Sequence, residues 1–350
     1  MITIKVTDIS FKEEWSRAHK SLVTPLPIYT ASALSYYEEY FSSSGMIHNA
    51  SFIVKKDTEY LAIVPLYIFK NSRTGYNQIS FGQNEYIKAP FFTHQSTKQL
   101  SKTSQFISEQ ISQIIEKFDI RNIYFAHDPS SYLIDKYFFP FFQAASSSNY
   151  IIEANVIDLR SGLEHLWFNL RKSYKPLINK TKKSFSVSII DYKTYSYDEC
   201  QKYKFLHNKA AGRETRPQKT FDLMYEMIRS DDAYLIIISK NEEVLGTYFF
   251  FKSSLIALYA SSATDPSVSN TDGVGHLGLW SGVEYAYNRG LSLVDMAMCP
   301  PSISNTSIEK KVSAINFFKR GFSGVTCALI CNKFEYNSSE QLREKFLAKL

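Results

Sequence analysis

The sequence predicts an α/β protein with two similar domains, residues 1–155 and 156–350. The prediction depends on the length, on an ordinary globular composition, and on one order of strands and helices that occurs twice. The 350 residues suffice for two domains, since a typical domain has roughly 150. The 44% hydrophobic and 21% charged residues exclude a disordered, collagen-like or coiled-coil chain. Each domain is expected to contain a mixed, mostly antiparallel sheet flanked by helices.

The second half opens with three β-branched or aromatic runs that are joined by short turns. They are Tyr234–Ser239, Val244–Phe251 and Leu255–Ser261, and they predict an antiparallel meander. The loop Asp265–Asp272 then leads into a predicted helix over Gly275–Asn288, where apolar residues recur at helical spacing. Further elements are predicted in this order: the strand Leu291–Met296, the helix Thr306–Arg320 and the strand Val325–Cys331.

The first half repeats this order more faintly. Ser51–Lys55 and Tyr60–Phe69 predict a hairpin that precedes the later meander by about 180 residues. The helix Ser101–Phe118 and the strand Asn122–Ala126 mirror the later helix and strand at a similar offset. Two similar offsets in one order favour a duplicated α/β unit. The boundary is expected near residues 145–158.

Charge and targeting signals predict a cytoplasmic protein. The 40 Lys and Arg residues exceed the 34 Asp and Glu by only six, a weaker bias than dedicated nucleic-acid binders show. Met1–Lys20 carries charges throughout, which excludes a secretory signal there. The longest apolar stretch, Leu61–Phe69, is too short for a spanning helix, which needs about 20 residues.

Cysteine and histidine spacing predicts no metal site. The four cysteines form no CxxC pair and the seven histidines form no HExxH motif. The sequence also lacks a GxSxG elbow, a GxxxxGK[ST] loop and a strand-borne GxGxxG. These absences disfavour hydrolases, P-loop nucleoside triphosphatases and enzymes that bind a dinucleotide cofactor.

A loop of small residues, SNTDGVGH at 269–276, stands before the predicted helix 275–288. Backbone amides at a helix N-terminus beside splayed strands bind anions, and Gly273 and Gly275 allow a phosphate to approach closely. The alternative is that these glycines only make the turn while Asp272 caps the helix.

A basic segment over residues 160–183, with Pro176 expected to break or kink its helix, has two interpretations. It is either a solvated helix face or a surface for phosphates of a nucleotide, a lipid diphosphate or RNA. The segment HNKAAGRETR, residues 207–216, is predicted to end one helix and form the turn before the next. Its arginines bind either a substrate anion or Glu214. Asp295, on an otherwise apolar strand, requires a partner or a function.

Several of these stretches resemble the FemAB-like branch of the GNAT acyltransferase superfamily, including the BioF2-like group. They are LRKSYKPLINKTKKSFSVSII, HNKAAGRETR, HLGLWSGVEYAYNRGLSLVDMA and INFFKRGFSG, all within residues 156–331. The first half matches in layout only, in agreement with the tandem GNAT-like domains of that branch.

The resemblance implies transfer of an acyl or aminoacyl group to an amine. Phe318 and Lys319 match an element whose lysine supports the reacting carbonyl in members that use aminoacyl-tRNA, and a cation there would stabilise the oxyanion. Ordinary GNAT enzymes bind coenzyme A through [Q/R]xxGx[G/A], where this chain has Asn270, Gly273 and Gly275. The first position departs from that pattern.

We therefore predict a metal-free N-acyltransferase that takes an acetyl group from acetyl-CoA. The acceptor is an amine of an amino sugar or a cell-envelope or surface-polysaccharide precursor, linked to a nucleotide or a lipid. Lys319 is the expected oxyanion stabiliser, and the proton acceptor is Asp295, His276 or the substrate itself. The expected substrate-binding residues are Lys175, Lys180, Lys182, His207, Arg213, Arg216, Tyr259 and Phe318. The rivals are an aminoacyl-tRNA-dependent transferase and a non-catalytic glycan- or nucleotide-binding protein.

Overall fold

The computed structural model describes residues 1–82, 86–88, 90–126, 148–268, 272–299 and 310–347. The chain forms two compact units. The first consists of Met1–Pro25, Tyr37–Ile152 and Ala328–Leu350, and the second of Leu26–Tyr36 and Glu153–Cys327. Each unit combines separate stretches of the chain, whereas the domains predicted from the sequence, 1–155 and 156–350, are contiguous. The duplication of an α/β unit stays a prediction.

The first unit contains two sheets. The smaller is antiparallel, in the order β1-β3-β4-β8, with strands Ile2–Lys5, Phe52–Lys56, Glu59–Val64 and Phe91–Phe92. The larger has the order β16-β9-β6-β5-β2, with β7 also on β9. Its strands are β2 (Met46–Asn49), β5 (Tyr67–Lys70), β6 (Asn77–Ile79), β7 (Ile87–Lys88), β9 (Ile120–Ala126) and β16 (Val325–Glu335). β6 and β7 run parallel to β9.

The predicted strand Tyr60–Phe69 is wrong as a single element. It consists of β4 and β5, which belong to different sheets. Pro65 lies between them and has no N–H to donate to a strand ladder, so the chain leaves one sheet at this point.

The helices that the structure describes are short, with one exception. They are α1 (Phe11–Lys20), α2 (Ala31–Ser42), α3 (Thr97–Lys117), α4 (Leu163–Asn169), α5 (Tyr174–Ser184), α6 (Tyr197–Ala211), α7 (Gln218–Arg229), α8 (Val274–Asn288), α9 (Lys310–Lys319) and α10 (Ser339–Leu347). The hydroxyl of Ser96 caps α3 by accepting a hydrogen bond from the Gln99 amide. None of the described helices is long and apolar enough to cross a membrane.

The second unit has one mixed sheet in the order β11-β12-β13-β14-β15-β10. Its strands are β10 (Ser148–Asp158), β11 (Ser186–Ile190), β12 (Ala233–Lys240), β13 (Glu243–Lys252), β14 (Ile256–Thr264) and β15 (Leu293–Cys299). Only β14 and β15 pair in parallel, with α8 connecting them. The meander and the α/β fold class are confirmed.

Small residues bring α8 close to β13. A Cβ atom at Gly278 would lie 1.9 Å from the Tyr248 ring, and one at Gly282 would lie 2.3 Å from the Phe250 ring. Both rings belong to the core that α8 covers. Phe249, between them, points to the opposite face, where it packs on Tyr203 of α6 at 5.4 Å between ring centroids. One face of this sheet therefore carries α8 and the other carries α6.

The predicted basic helix over 160–183 is two helices, α4 and α5, separated at residues 170–173. Pro176 does not break a helix, because it lies in the first turn of α5, where its missing N–H costs no hydrogen bond. Thr181, on the buried side of α5, faces α8 through its hydrogen bond to the Asp272 carbonyl.

Candidate functional site

Strands β14 and β15 separate in the middle of the second unit's sheet. They pair at three positions, Ile256 with Leu293, Ala257 with Val294, and Leu258 with Asp295. Beyond them β14 stays paired with β13 as far as Thr264. In a strand–helix–strand unit the helix begins at the carboxyl end of the first strand, so α8 begins at this opening. Such openings are where α/β proteins bind ligands.

The N-terminus of α8 has the glycine loop predicted from the sequence. Gly273 is the N-cap residue and adopts a left-handed conformation, with φ of 73°. A Cβ there would lie 2.5 Å from Thr181 Oγ1 and 3.1 Å from the Leu177 carbonyl oxygen. Gly273 is therefore required by the turn and by the packing of α5. Asn270 lies outside the described residues.

Gly275 lies in the first turn of α8, whose amides have no partner within the helix. A Cβ at this position would meet only Phe318 at 3.5 Å and the Tyr248 hydroxyl at 3.8 Å, which are ordinary contacts. The fold thus places a helix start beside separating strands, and anion binding at this position stays a prediction.

His276 lies within a group of aromatic rings. Its ring centroid is 4.3 Å from that of Tyr174, 5.0 Å from Phe318 and 6.3 Å from Phe322. Burial, with a smaller effect of the nearby Arg171 charge, lowers the pKa of His276 to about 4. The imidazole is therefore neutral at pH 7. Because a general base works best with a pKa near the operating pH, this environment fits packing better than proton abstraction.

Lys319 is the last residue of α9 and is buried. Its Nζ lies 5.6 Å from the centroid of the Tyr259 ring, a cation–π arrangement. Tyr259 directly follows Leu258, the last residue of β14 that pairs with β15. Lys319 and Tyr259 therefore meet where the two strands separate.

Two residues that the sequence analysis did not single out hold the end of α9. The Arg171 guanidinium donates to the Phe317 carbonyl at 2.9 Å, and the Tyr174 hydroxyl donates to the Phe318 carbonyl at 3.0 Å. A Cβ at Gly321 would lie 2.2 Å from the Tyr174 ring. These contacts fix the backbone just before Lys319. Both residues lie in the stretch LRKSYKPLINKTKKSFSVSII. The sequence shows that one is charged and the other aromatic, but it does not indicate their contacts with α9.

Asp295 lies on the other face of the sheet from His276. Val294 and Met296 belong to the core under α8, so Asp295 between them points away from it. Its carboxylate accepts a hydrogen bond from the Ala297 amide at 2.8 Å. Ala297 has a φ of 65°, a conformation that L residues rarely adopt. The structure thus gives Asp295 a backbone-stabilising contact and does not bring it to His276.

The three predicted lysines of the basic segment differ in their contacts. Lys175 donates to the Phe168 carbonyl at 2.8 Å, and Lys182 forms an ion pair with Glu284 of α8 at 3.0 Å. Among these three lysines, Lys175 and Lys182 would have to break the contacts described here before they could bind a substrate. Lys180 is exposed and would not have to break either of these contacts.

His207 and Arg216 form a second cluster, on the α6 face. Thr215 Oγ1 lies 3.0 Å from Nδ1 of His207, and Ser261 Oγ lies 3.4 Å from Nε2. Arg216 donates to the Tyr36 hydroxyl at 3.0 Å. Burial first, and the Arg216 charge second, lower the pKa of His207 to about 4. The cluster is distinct from the Lys319 region, since the sheet separates the two.

The predicted turn between helices is confirmed, because α6 ends at Ala211 and α7 begins at Gln218. Arg213 and Glu214 are both exposed, and no ion pair joins them among the described residues. The described residues also contain no group of three His, Cys, Asp or Glu side chains that could hold a metal ion.

Comparison with known proteins gives a structural match without a sequence match. No family model and no curated protein matches the sequence. The crystal structure of FemX superimposes with a TM-score of 0.67 at 12% identity, over 99% of this chain and 100% of FemX. L-PGS from Bacillus licheniformis gives 0.55 at 10% identity, over 90% and 95%.

A third match is the C-terminal domain of a protein from Agrobacterium fabrum that is assigned as a lysylphosphatidylglycerol synthetase. It gives a TM-score of 0.56 at 10% identity, over 96% of this chain and 95% of that domain. Identities this low establish the fold. The chain therefore has the fold of FemX.

Proposed function

We propose that this protein is an N-acyltransferase whose reacting carbonyl lies where β14 and β15 separate. The position of Lys319 carries the proposal. The ammonium group lies at Tyr259, one residue beyond the last β14–β15 pair, and the end of α9 is held by Arg171 and Tyr174. A buried cation at this point can stabilise the oxyanion that forms during acyl transfer.

The proposed chemistry is addition followed by elimination. The lone pair of the acceptor amine attacks the acyl carbon, and the carbonyl oxygen becomes an oxyanion that Lys319 Nζ stabilises. The intermediate then collapses, the bond to the donor's sulfur or oxygen breaks, and the amine nitrogen loses a proton. The neutral His276 and the engaged Asp295 make solvent or the leaving group the better proton acceptor.

The donor in this proposal is acyl-CoA, with acetyl-CoA as the first to be tested. Its pyrophosphate would meet the first-turn amides of α8 at Gly275, a helix start that favours negative charge. The acceptor is an amine on an amino sugar or another cell-envelope precursor. Anionic groups of the acceptor would meet exposed cations, of which Lys180 and Arg213 are two.

A second donor, aminoacyl-tRNA, is favoured by the surroundings of Gly273. Thr181 and the Leu177 carbonyl occupy the space beside it. This packing alone accounts for a glycine at position 273, so the glycine is not evidence for a phosphate of coenzyme A. The fold shared with FemX and the cations of α5 agree with this alternative. Binding of tRNA releases counterions, so its affinity would fall steeply with salt, whereas acetyl-CoA binding would depend on salt only weakly.

The decisive experiment replaces Lys319 by methionine, which keeps the stem and removes the charge. We expect kcat to fall by about 10²–10³, the usual cost of one lost oxyanion donor. Lys98→Met, at an exposed position on α3 of the first unit, is the matched control and should retain full kcat. Acyl transfer is measured with acetyl-CoA and with charged tRNA on a panel of amines. Equal kcat in the two variants contradicts the role of Lys319, and no product with either donor favours a non-catalytic binding protein.

A further inference from the structure

Two phenylalanines project from the second unit close to the end of α9. Phe168, on α4, is 76% exposed and Phe317, on α9, is 64% exposed. Trp167, next to Phe168, packs on Trp280 of α8 at 5.2 Å between ring centroids. The contact of the partly buried Trp167 with Trp280 thereby fixes α4 in an orientation that leaves Phe168 outside.

Cations accompany both rings. The Arg171 guanidinium lies 3.7 Å from the Phe317 centroid, and Lys175 Nζ lies 5.3 Å from the Phe168 centroid. Lys172, between them in sequence, is exposed. We call these five residues the aromatic–basic patch. Among the described residues no carboxylate forms an ion pair with its three cations, so this part of the chain leaves their positive charge unpaired.

We propose that the aromatic–basic patch docks this protein on an anionic membrane surface. Exposed aromatic side chains gain free energy when they enter the boundary between headgroups and acyl chains. Lysine and arginine beside them keep their charged ends at headgroup level while their stems stay apolar. The patch combines both features in one place.

The arrangement of the rings favours a membrane over RNA. A nucleobase stacks on the face of an aromatic ring, and the cations Arg171 and Lys175 lie over faces of Phe317 and Phe168. Insertion among lipids requires only the ring edges, which these cations leave open. A cation over the ring also matches a lipid phosphate lying just outside the inserted ring.

Docking would place the end of α9 at the membrane, because Phe317 is two residues from Lys319. This consequence rests on the proposed function and would present a lipid-linked acceptor amine to the site. The docking itself does not depend on catalysis, so vesicle binding and turnover fail independently.

The test is co-sedimentation of the full chain with vesicles of phosphatidylglycerol and phosphatidylcholine, against vesicles of phosphatidylcholine alone. We expect binding to the anionic vesicles only, because each Lys or Arg near such a surface strengthens binding about fivefold. The binding should weaken at high salt, because salt screens this attraction. The double variant Phe168→Ala, Phe317→Ala should bind about tenfold or more weakly, from the lost apolar burial. Lys172→Glu should also weaken binding.

Phe205→Ala is the matched control, since Phe205 is 71% exposed on α6, outside the patch. It should bind vesicles as tightly as the unmodified protein. Failure of the unmodified protein to bind anionic vesicles, or an equal loss in Phe205→Ala and the double variant, overturns the proposal. So does binding of tRNA that the double variant weakens while vesicle binding is unchanged, which would assign the patch to RNA. Thermal unfolding of each variant establishes that it is folded.

Discussion

The two faces of the second unit's sheet each hold a half-buried histidine, and the two histidines have different neighbours. His276, on the α8 face, lies among Tyr174, Phe318 and Phe322. His207, on the α6 face, lies near the polar groups of Thr215 and Ser261. Yet the pKa is lowered to about 4 in both cases.

Burial is the largest cause of both pKa shifts. A shifted pKa therefore reports desolvation here and does not identify a catalytic base. The neighbours are more informative. The α8 face is a tightly packed aromatic surface that positions Lys319, whereas the α6 face offers hydroxyl groups and the Arg216 guanidinium that an acceptor could contact.

The largest effect on stability is expected where the α8 face is packed most tightly. Gly278→Ala places a Cβ 1.9 Å from the Tyr248 ring, so the helix or the ring has to move, at a cost of about 1–3 kcal/mol. Gly275→Ala meets nothing closer than 3.5 Å and should leave the stability unchanged or slightly raised. Urea unfolding of both variants measures the difference. If the two variants have equal free energies of unfolding, the Tyr248 ring and α8 can move apart at little cost, and the prediction is wrong.

The pH dependence of stability tests the comparison directly. Because both histidines have a folded pKa below the unfolded value of about 6.5, the unfolded chain binds more protons between about pH 6.5 and 4. The contribution of the two neutral histidines to the free energy of unfolding is therefore fully present above about pH 6.5 and is lost as the pH falls towards 4.

His276→Phe and His207→Gln should each reduce the loss of unfolding free energy between pH 7 and pH 5. Similar reductions are expected if burial governs both histidines. A reduction in one variant only would separate the two faces. His276→Phe should also leave kcat near that of the unmodified protein, and a loss of 10²-fold or more would restore His276 as a base.

The smallest effect is expected at the rim of the α8 face. Lys182 and Glu284 form a partly exposed ion pair, which contributes about 0–1 kcal/mol and less at high salt. Lys182→Ala should therefore change the urea midpoint slightly, by an amount that disappears at 1 M NaCl. A larger, salt-independent change would mean that the lysine stem packs on α8 and that charge is secondary.

Local patterns were enough to predict much of the second unit. The meander, the helix after the glycine loop and the turn at 212–217 follow from alternation, helical spacing and glycine, all of which are local signals. The break at residues 170–173 was missed because Arg171 and Tyr174 bond to carbonyls of α9, far along the chain. No local pattern encodes a partner at that distance.

The functional roles of the candidate site residues stay predictions, and the structure shows only how these residues are arranged. Lys319 and Phe318 were identified from the resemblance, and the structure places Lys319 at Tyr259. The separation of Asp295 from His276 depends on which way β15 faces, and apart from Asp295 itself both faces of that strand are apolar in sequence. Strand alternation cannot choose a face without such a contrast.

The first unit contains both the beginning and the end of the chain, which has a consequence for its biosynthesis. Its strand β9 pairs with β16 through Cys331–Glu335, which emerge from the ribosome only after the entire second unit has been made. During translation β9 would present an open edge, the kind of edge on which strands of other chains assemble. A fragment cut at residue 155 would keep that edge permanently, so expression of the first half alone is expected to yield aggregates.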